Sequence, residues 1–163
     1  MASELSFMNE QIELALQLIK KPSEETDRQL DEIISGLRTR YGRNPVLLDR
    51  LNGRWEDVLE KKKQIDAVYS QIQGVIQQAY QQVEQLGDPR SILSSLSKKY
   101  ETSINLSKYI LQESEKVMKY KDEMDQSISI IRKAVDEALL ALKKGDTDKV
   151  EPIIKGVRTR FRV

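Results

Sequence analysis

The chain of 163 residues contains no cysteine and no histidine. Their absence excludes thiolate nucleophiles, disulfide bonds, imidazole bases and the common zinc ligand sets. Glycine and proline are also scarce, at 7 and 4 residues, and the glycines are spread singly along the chain. A glycine-rich phosphate loop and a Gly-x-Lys-Ser/Thr motif are therefore missing. We expect a protein with no catalytic residues, no metal site and no cofactor.

Carboxylate or lysine chemistry is the one enzymatic route that this composition leaves open. Acidic pairs do occur, as at Glu24 and Glu25 or at Glu113 and Glu115. They lie among the surface charges of predicted helices, and no apolar pocket that would raise their pKa values is implied. We therefore expect the protein not to be an enzyme.

The chain also lacks an excess of charge of either sign and lacks a long apolar run. Its 27 basic and 26 acidic residues leave a net charge of +1, so a nucleic-acid partner is not expected. No apolar stretch approaches the roughly 20 residues that span a bilayer. Residues 1–21 lack the basic start, apolar run and cleavage site of a secretory signal. We expect a cytoplasmic protein that does not cross a membrane.

Amphipathic helices are the structure that this composition favours. Charged residues make up 33% of the chain and hydrophobic residues 39%, a balance typical of long helices rather than of sheets, which need more turns. The apolar spacing predicts a first helix over about residues 4–21. It predicts a second helix that Ser23 caps and Gly42 ends.

Two long helical stretches are predicted next. Asn44 followed by Pro45 is a typical helix start, and the helix that it begins extends to about Leu86, roughly 60 Å at 1.5 Å per residue. The segment 87–89 (GDP) combines a glycine that stops a helix with an aspartate cap and a first-turn proline that start the next. A second long helix is therefore predicted from there to Lys144. Because the connection between them is short, we expect an antiparallel hairpin of two long helices.

An internal repeat is the most informative feature of the chain. Residues 33–41 (IISGLRTRY) return as residues 153–161 (IIKGVRTRF), and residues 15–21 (ALQLIKK) resemble residues 138–144 (ALLALKK). The period of roughly 120 residues is far longer than the roughly 20–50 of solenoid repeats. A glycine recurs in mid-helix in both copies, which favours close helix packing or a kink, or simply a common origin of the copies. The chain is typical of a modular helical array.

Three segments carry a resemblance to a known family. Residues 51–59 (LNGRWEDVL) are similar to the closing helix of a spectrin repeat, where an Arg-Trp pair and spaced leucines pack into a three-helix bundle. Residues 79–86 (AYQQVEQL) are similar to the opening helix of the next repeat, with Tyr80 where the family usually has tryptophan. Residues 141–146 (ALKKGD), followed by Ile153 and Phe161, are similar to the loop and closing-helix entry. The repeat period here is longer than in the spectrin, dystrophin, nesprin and plakin groups.

The resemblance implies an all-α fold, an elongated antiparallel three-helix-bundle repeat with long continuous helices. Residues 1–43 are then the end of a preceding repeat or an N-terminal helical hairpin, and residues 44–163 are a spectrin-like repeat with the start of a following copy. The only tryptophan is expected to be a buried anchor because it has a large apolar surface. The expected structural core includes Trp55, Tyr80, Leu51, Leu59, Ile131 and Val135.

Short basic runs form a candidate contact patch for phosphates, anionic lipid or an acidic filament surface. The alternative is that they are the solvated faces of helices. The residues of the patch are Lys61, Lys62, Lys63, Arg158, Arg160 and Arg162.

Two non-enzymatic functions remain in competition. The first is a structural scaffold, a spectrin-like spacer segment of a cytoskeletal or nuclear-envelope linker, favoured by a second copy of the repeat that is truncated at Val163. Its expected partners are other proteins, either cytoskeletal proteins or helical ones. A dimer formed through the long helices is a further option. The alternative is a discrete adaptor that binds a partner helix, a filament or a membrane surface through an exposed apolar patch. Candidates for such a patch are Phe7, Met8 and Phe161. The alternative is that these three residues belong to a truncated hydrophobic core.

Overall fold

The structure is helical throughout the part of the chain that it describes. A computed structural model of the protein describes residues 2–162. Its helices are α1 (Ala2–Leu18), α2 (Glu24–Tyr41), α3 (Pro45–Glu84), α4 (Arg90–Lys99), α5 (Ile104–Lys143) and α6 (Val150–Phe161), with a short 3-10 turn over Thr147–Lys149. No strand occurs in residues 2–162, and none of the helices there is both long and apolar enough to cross a membrane. The predicted all-α class is confirmed.

The helix ends follow several of the predicted capping residues. The hydroxyl of Ser23 accepts a hydrogen bond from the backbone N–H of Thr26 at 3.1 Å, at the start of α2. The side-chain oxygen of Asn44 accepts one from the N–H of Leu47 at 3.2 Å, at the start of α3. Gly145, with a φ of 78°, ends α5 in the left-handed conformation that glycine adopts most easily. The predicted starts at Ser23 and Asn44 and the predicted stop at Gly145 are confirmed.

The helices divide between two compact units. Of the described residues, the first unit contains 2–75 and 95–110, and the second contains 76–94 and 111–162. Residue 43, where the sequence predicts a boundary between repeats, lies within the first unit, and α1 and α2 share one hydrophobic core with the beginning of α3. The repeat boundaries themselves stay a prediction. In the first unit these three helices pack as a bundle.

The second long stretch is two helices, not one as predicted. It breaks at residues 100–103 into α4 and α5, and the hydroxyl of Ser103 accepts a hydrogen bond from the N–H of Leu106 at 3.4 Å to cap α5. The break contains neither glycine nor proline, the residues that signal the other boundaries. The sequence therefore gives only a weak capping signal at this point.

Within the first unit, α5 runs parallel to α3. Ile104 of α5 lines the same cavity as Ile65 of α3, and further along both helices the rings of Tyr109 and Tyr69 have their centroids 5.0 Å apart. The two helices therefore advance in the same direction. The predicted antiparallel hairpin of two long helices is wrong, because the short α4 reverses the chain between them.

The second unit has its own apolar contacts. The rings of Tyr80 and Tyr120 stand 5.6 Å apart between α3 and α5, in a tilted arrangement favourable for aromatic pairs. Its buried apolar side chains are Ile76, Ala79 and Val83 of α3, Leu93 of α4, and Val117 and Ala141 of α5.

Half of the predicted core residues are exposed. Leu51 and Trp55 are buried, and Tyr80 is partly buried. Leu59, by contrast, is 49% exposed. It follows Val58, the last α3 residue of the core in the first unit, and points about 100° away from it around the helix. Ile131 and Val135 of α5 are also exposed, so the prediction that these three residues belong to the core is wrong. The last two belong to the second copy of the repeat, where α3 does not pack.

Candidate functional site

The first copy of the repeat is a helical hairpin of α1 and α2, the first hairpin, whose inner face is fully covered. The apolar residues of that face are Met8, Ile12 and Ala15 of α1, Ile19 directly after α1, and Leu30, Ile34, Leu37 and Tyr41 of α2, and each is at most 8% exposed. The residues of α3 in the same cluster are Leu47, Leu51, Trp55 and Val58. They complete the core of the bundle, so the start of α3 is the cover of the first hairpin.

Polar contacts fix α3 in place on the first hairpin. The ammonium of Lys62 lies 3.0 Å from a carboxylate oxygen of Asp27 in α2. The guanidinium of Arg54 donates a hydrogen bond to the side-chain oxygen of Asn9 in α1. These contacts lie beside the apolar cluster and bear on the register of α3 against the two other helices.

The second copy of the repeat is a hairpin with the same apolar pattern. Residues 127–143 of α5 and the whole of α6 correspond to the first hairpin in the repeat, and the short connection at residues 144–149 is of a length that turns a chain back into a hairpin, so we call them the second hairpin. Alignment on the repeated segments matches Met8, Ile12, Ala15 and Ile19 with Ile131, Val135, Ala138 and Leu142. The same alignment matches the inner residues of α2 with Val150, Ile154, Val157 and Phe161.

The inner face of the second hairpin is open. Ile131 is 40% exposed, Val135 and Leu142 are each 51% exposed, and Ile154 is 52% exposed. The other four matched residues, Ala138, Val150, Val157 and Phe161, are only partly buried. No segment within residues 2–162 covers this surface as α3 covers its counterpart. We call these eight residues the docking face.

The side chains beside the docking face differ in charge from those of the first hairpin. Arg132 stands where the first copy has Asn9, and Thr147 stands where it has Asp27. Leu139, which corresponds to the partly buried Leu16, is a further exposed apolar residue on this side of α5. The second hairpin therefore repeats the apolar surface of the first but not its polar edge.

The six predicted basic contact residues fall into two groups that lie in different units. Lys61, Lys62 and Lys63 lie on α3 in the first unit, whereas Arg158, Arg160 and Arg162 lie at the end of the chain in the second.

Within the first group, Lys62 is engaged in ion pairs. Asp66 on one side and Asp27 on the other raise the pKa of Lys62, with the hydrogen bond to Asp66 the largest cause. Lys62 therefore attaches α3 to α2, and only Lys61 and Lys63 are exposed for external contacts.

A groove along the first hairpin is a second apolar surface. It has a volume of about 610 Å³, and the side chains that line it include Phe7, Leu14, Leu18 and Ile33. Phe7 is partly covered, because the guanidinium of Arg40 lies 4.1 Å from the centre of its ring. Met8, the neighbouring candidate for an exposed patch, is fully buried in the core.

The repeated mid-helix glycines do not mark close helix packing, contrary to one expectation. Apart from its own turn of helix, a Cβ atom built on Gly36 or on Gly156 meets no atom within 4 Å. Neither residue has a positive φ, so neither needs the conformational freedom of glycine. The structure supplies no packing reason for these glycines.

The sequence contained a signal for the docking face. The repeated segments place Val135 and Leu142 in register with the buried Ile12 and Ile19. Apolar periodicity assigned such residues to a core, since an apolar stripe predicts burial against some other element. The missing information was which helix covers each stripe. That question is answered only by the packing of α3.

Comparison of the chain with protein-family models, with curated proteins and with solved structures finds no match. Within residues 2–162, no group of three or more acidic side chains is placed to hold a metal ion.

Proposed function

We propose that the protein is a non-enzymatic interaction scaffold that docks an amphipathic helix of a partner on the open face of its second hairpin. The observation that supports this is the contrast between the two copies. The apolar pattern is buried under α3 in the first copy, whereas in the second copy half of its residues are exposed and the other half are only partly buried. A helix laid into a groove between two helices is a common mode of recognition, read through apolar anchors three and four residues apart.

The exposed apolar residues supply the driving force for such docking. Removing apolar surface from water is worth roughly 25 cal/mol per Å², and contiguous exposed apolar patches commonly mark interaction sites. Four of the eight residues of the docking face are at least 40% exposed. A bound helix with matching apolar side chains would cover them as α3 covers the first hairpin.

The spectrin-like spacer remains a second proposal, favoured by a different observation. Two copies of one hairpin are connected through α3 and α5, each 40 residues long. Repeated helical units of this kind suit a scaffold in a cytoskeletal or nuclear-envelope linker. In that role the docking face would receive the helix of an adjoining repeat, so the two proposals share the same surface.

A matched pair of variants of the full chain tests the docking function. Leu142 and Leu140 lie two residues apart on α5 and are 51% and 52% exposed, but only Leu142 belongs to the docking face. A displayed library of amphipathic helical peptides is selected against the unchanged chain. We expect the selected peptides to lose binding to Leu142→Asp and to keep it with Leu140→Asp.

Two results of this selection would contradict the proposal. One is that no peptide with helical apolar spacing is enriched. The other is that the enriched peptides bind both variants equally, which would place their site elsewhere. Helical circular dichroism of each variant establishes that it is folded before binding is compared. Small-angle X-ray scattering with light-scattering mass separately tests the spacer, for which an elongated monomer is expected.

A further inference from the structure

The structure carries a more specific inference about the partner of the docking face, which rests on the proposed function. We infer that the docked helix has the apolar spacing of the start of α3 and carries an acidic residue where α3 carries Arg54. The first hairpin is the template for the spacing, and Arg132 is the reason for the change of charge.

The spacing follows from the way in which α3 covers the first hairpin. Its four core residues, Leu47, Leu51, Trp55 and Val58, follow one another at intervals of four, four and three residues and belong to one cluster with the eight inner residues of the first hairpin. The docking face presents apolar residues at the corresponding eight positions. A helix with the same intervals therefore places its side chains over the same kind of surface.

The charge follows from one contact at the edge of that surface. Arg54 of α3 donates a hydrogen bond to Asn9 in the first hairpin. Arg132, which is exposed, occupies the position of Asn9 in the second hairpin. An arginine at the place of Arg54 would meet a like charge there, whereas a glutamate would form an ion pair. The second hairpin thus prefers a variant of the α3 sequence over that sequence itself.

The test uses two labelled synthetic peptides and the full chain. One peptide contains residues 44–62 and the other contains the same residues with Arg54→Glu. Both carry Gly53→Ala, which raises their helix propensity. Binding is measured by fluorescence anisotropy at low salt. We expect the Arg54→Glu peptide to bind about fivefold more tightly than the peptide with Arg54, and the preference to shrink as salt rises.

A charge exchange in the full chain identifies the pair of residues. Chain variant Arg132→Glu should reverse the preference, so that the peptide with Arg54 becomes the tighter ligand. Leu142→Asp should weaken both peptides by more than about tenfold, and Leu140→Asp should leave both unchanged. The coupling free energy between the peptide substitution and the chain substitution is the decisive quantity, because nonspecific binding to an apolar surface would not produce it.

The outcomes separate this inference from the proposed function. If library peptides bind the docking face but neither α3-derived peptide does, the spacing inference is wrong and the proposed function stands. If both peptides bind without a response to Arg132→Glu, the register is wrong. If the chain alone is a dimer that Leu142→Asp dissociates, the face is occupied by a second copy and the inference fails. If no helix binds at all, both proposals fail.

Discussion

The hydroxyl of Tyr41, at the end of α2, donates a hydrogen bond to the backbone carbonyl of Glu4, at the start of α1, across 3.0 Å. The carboxylate of the same Glu4 accepts two hydrogen bonds from Arg40, at 2.9 and 3.0 Å. Two consecutive residues of α2 thus join the end of α2 to the start of α1, at the end of the first hairpin opposite its turn. The second copy of the repeat has Phe161 in place of Tyr41 and cannot make the first of these bonds.

Replacement of Tyr41 by phenylalanine should destabilise the first unit by about 1 kcal/mol. The variant keeps the buried ring but removes one hydrogen bond and leaves the carbonyl of Glu4 without this partner. Chemical denaturation followed by Trp55 fluorescence measures the effect, because Trp55 is the only tryptophan and lies in the same core. An unchanged midpoint would show that the hydrogen bond does not contribute to stability.

The same variant should change the response of the protein to alkaline pH. Burial, followed by the interaction with Glu4, raises the pKa of Tyr41 above its ordinary value of 10.0. The unfolded chain therefore loses this proton first, so the associated stability is complete below about pH 10 and is lost as the pH rises through the folded pKa. Tyr41→Phe should flatten this decline. Tyr69, whose pKa burial also raises, should retain part of it.

Replacement of Trp55 by alanine should cost about 3–5 kcal/mol, enough to unfold a marginal bundle. Trp55 is 5% exposed and packs in the core that α3 shares with the first hairpin. Leu59→Ala is the matched control on the same helix, because Leu59 is 49% exposed and should change stability by about 0.5 kcal/mol or less. Thermal melting followed by circular dichroism compares the two. Equal midpoints for both variants would refute the anchoring role of Trp55.

Replacement of Leu86 by glycine should stabilise the protein by about 0.5–1 kcal/mol. Leu86 has a φ of 61°, in the left-handed region that side chains with a Cβ adopt at a cost, and it is 64% exposed. The N–H of the next residue, Gly87, donates to the carbonyl of Gln82 at 2.7 Å, so Leu86 holds the position that glycine usually takes in this helix ending. Calorimetric melting measures the gain.

Gly145 provides the converse control for this helix ending. It takes the same position after α5 with a φ of 78°. Gly145→Ala should therefore destabilise the protein by about 1 kcal/mol, although a Cβ there meets no neighbouring atom. A loss with both substitutions would indicate that Leu86 is held by packing instead.

Replacement of Gly36 by alanine should stabilise the first unit by up to about 1 kcal/mol, since glycine is the poorer helix former and the added Cβ has open space. Gly42→Ala is the contrasting variant, because a Cβ there would lie 2.9 Å from the carbonyl oxygen of Arg38. Denaturant titration should place the two midpoints on opposite sides of that of the unchanged chain. The reverse order would mean that the groove beside Gly36 closes against the added methyl group.

Most of the helix boundaries were predictable from local chemistry. A capping side chain such as Ser23 or Asn44 acts on backbone groups only a few residues away. The helix start can therefore be predicted from the neighbouring residues alone. The break at residues 100–103 was not predicted, because no glycine or proline marks it and a weak Ser103 cap alone starts α5. The parallel course of α3 and α5 was missed as a result.

The helical class and the places where most helices begin and end follow from the order of the residues, since periodicity and capping are local. Burial is different, because it depends on contacts between residues far apart in the chain. Ile12 and Val135 occupy matching positions in two copies of one pattern, yet one is buried and the other is half exposed. The pattern predicts only that each apolar stripe is buried against another helix. The packing of Leu51 and Trp55 against the first hairpin decides that the start of α3 covers the first copy and not the second, because one helix segment can pack on only one such face.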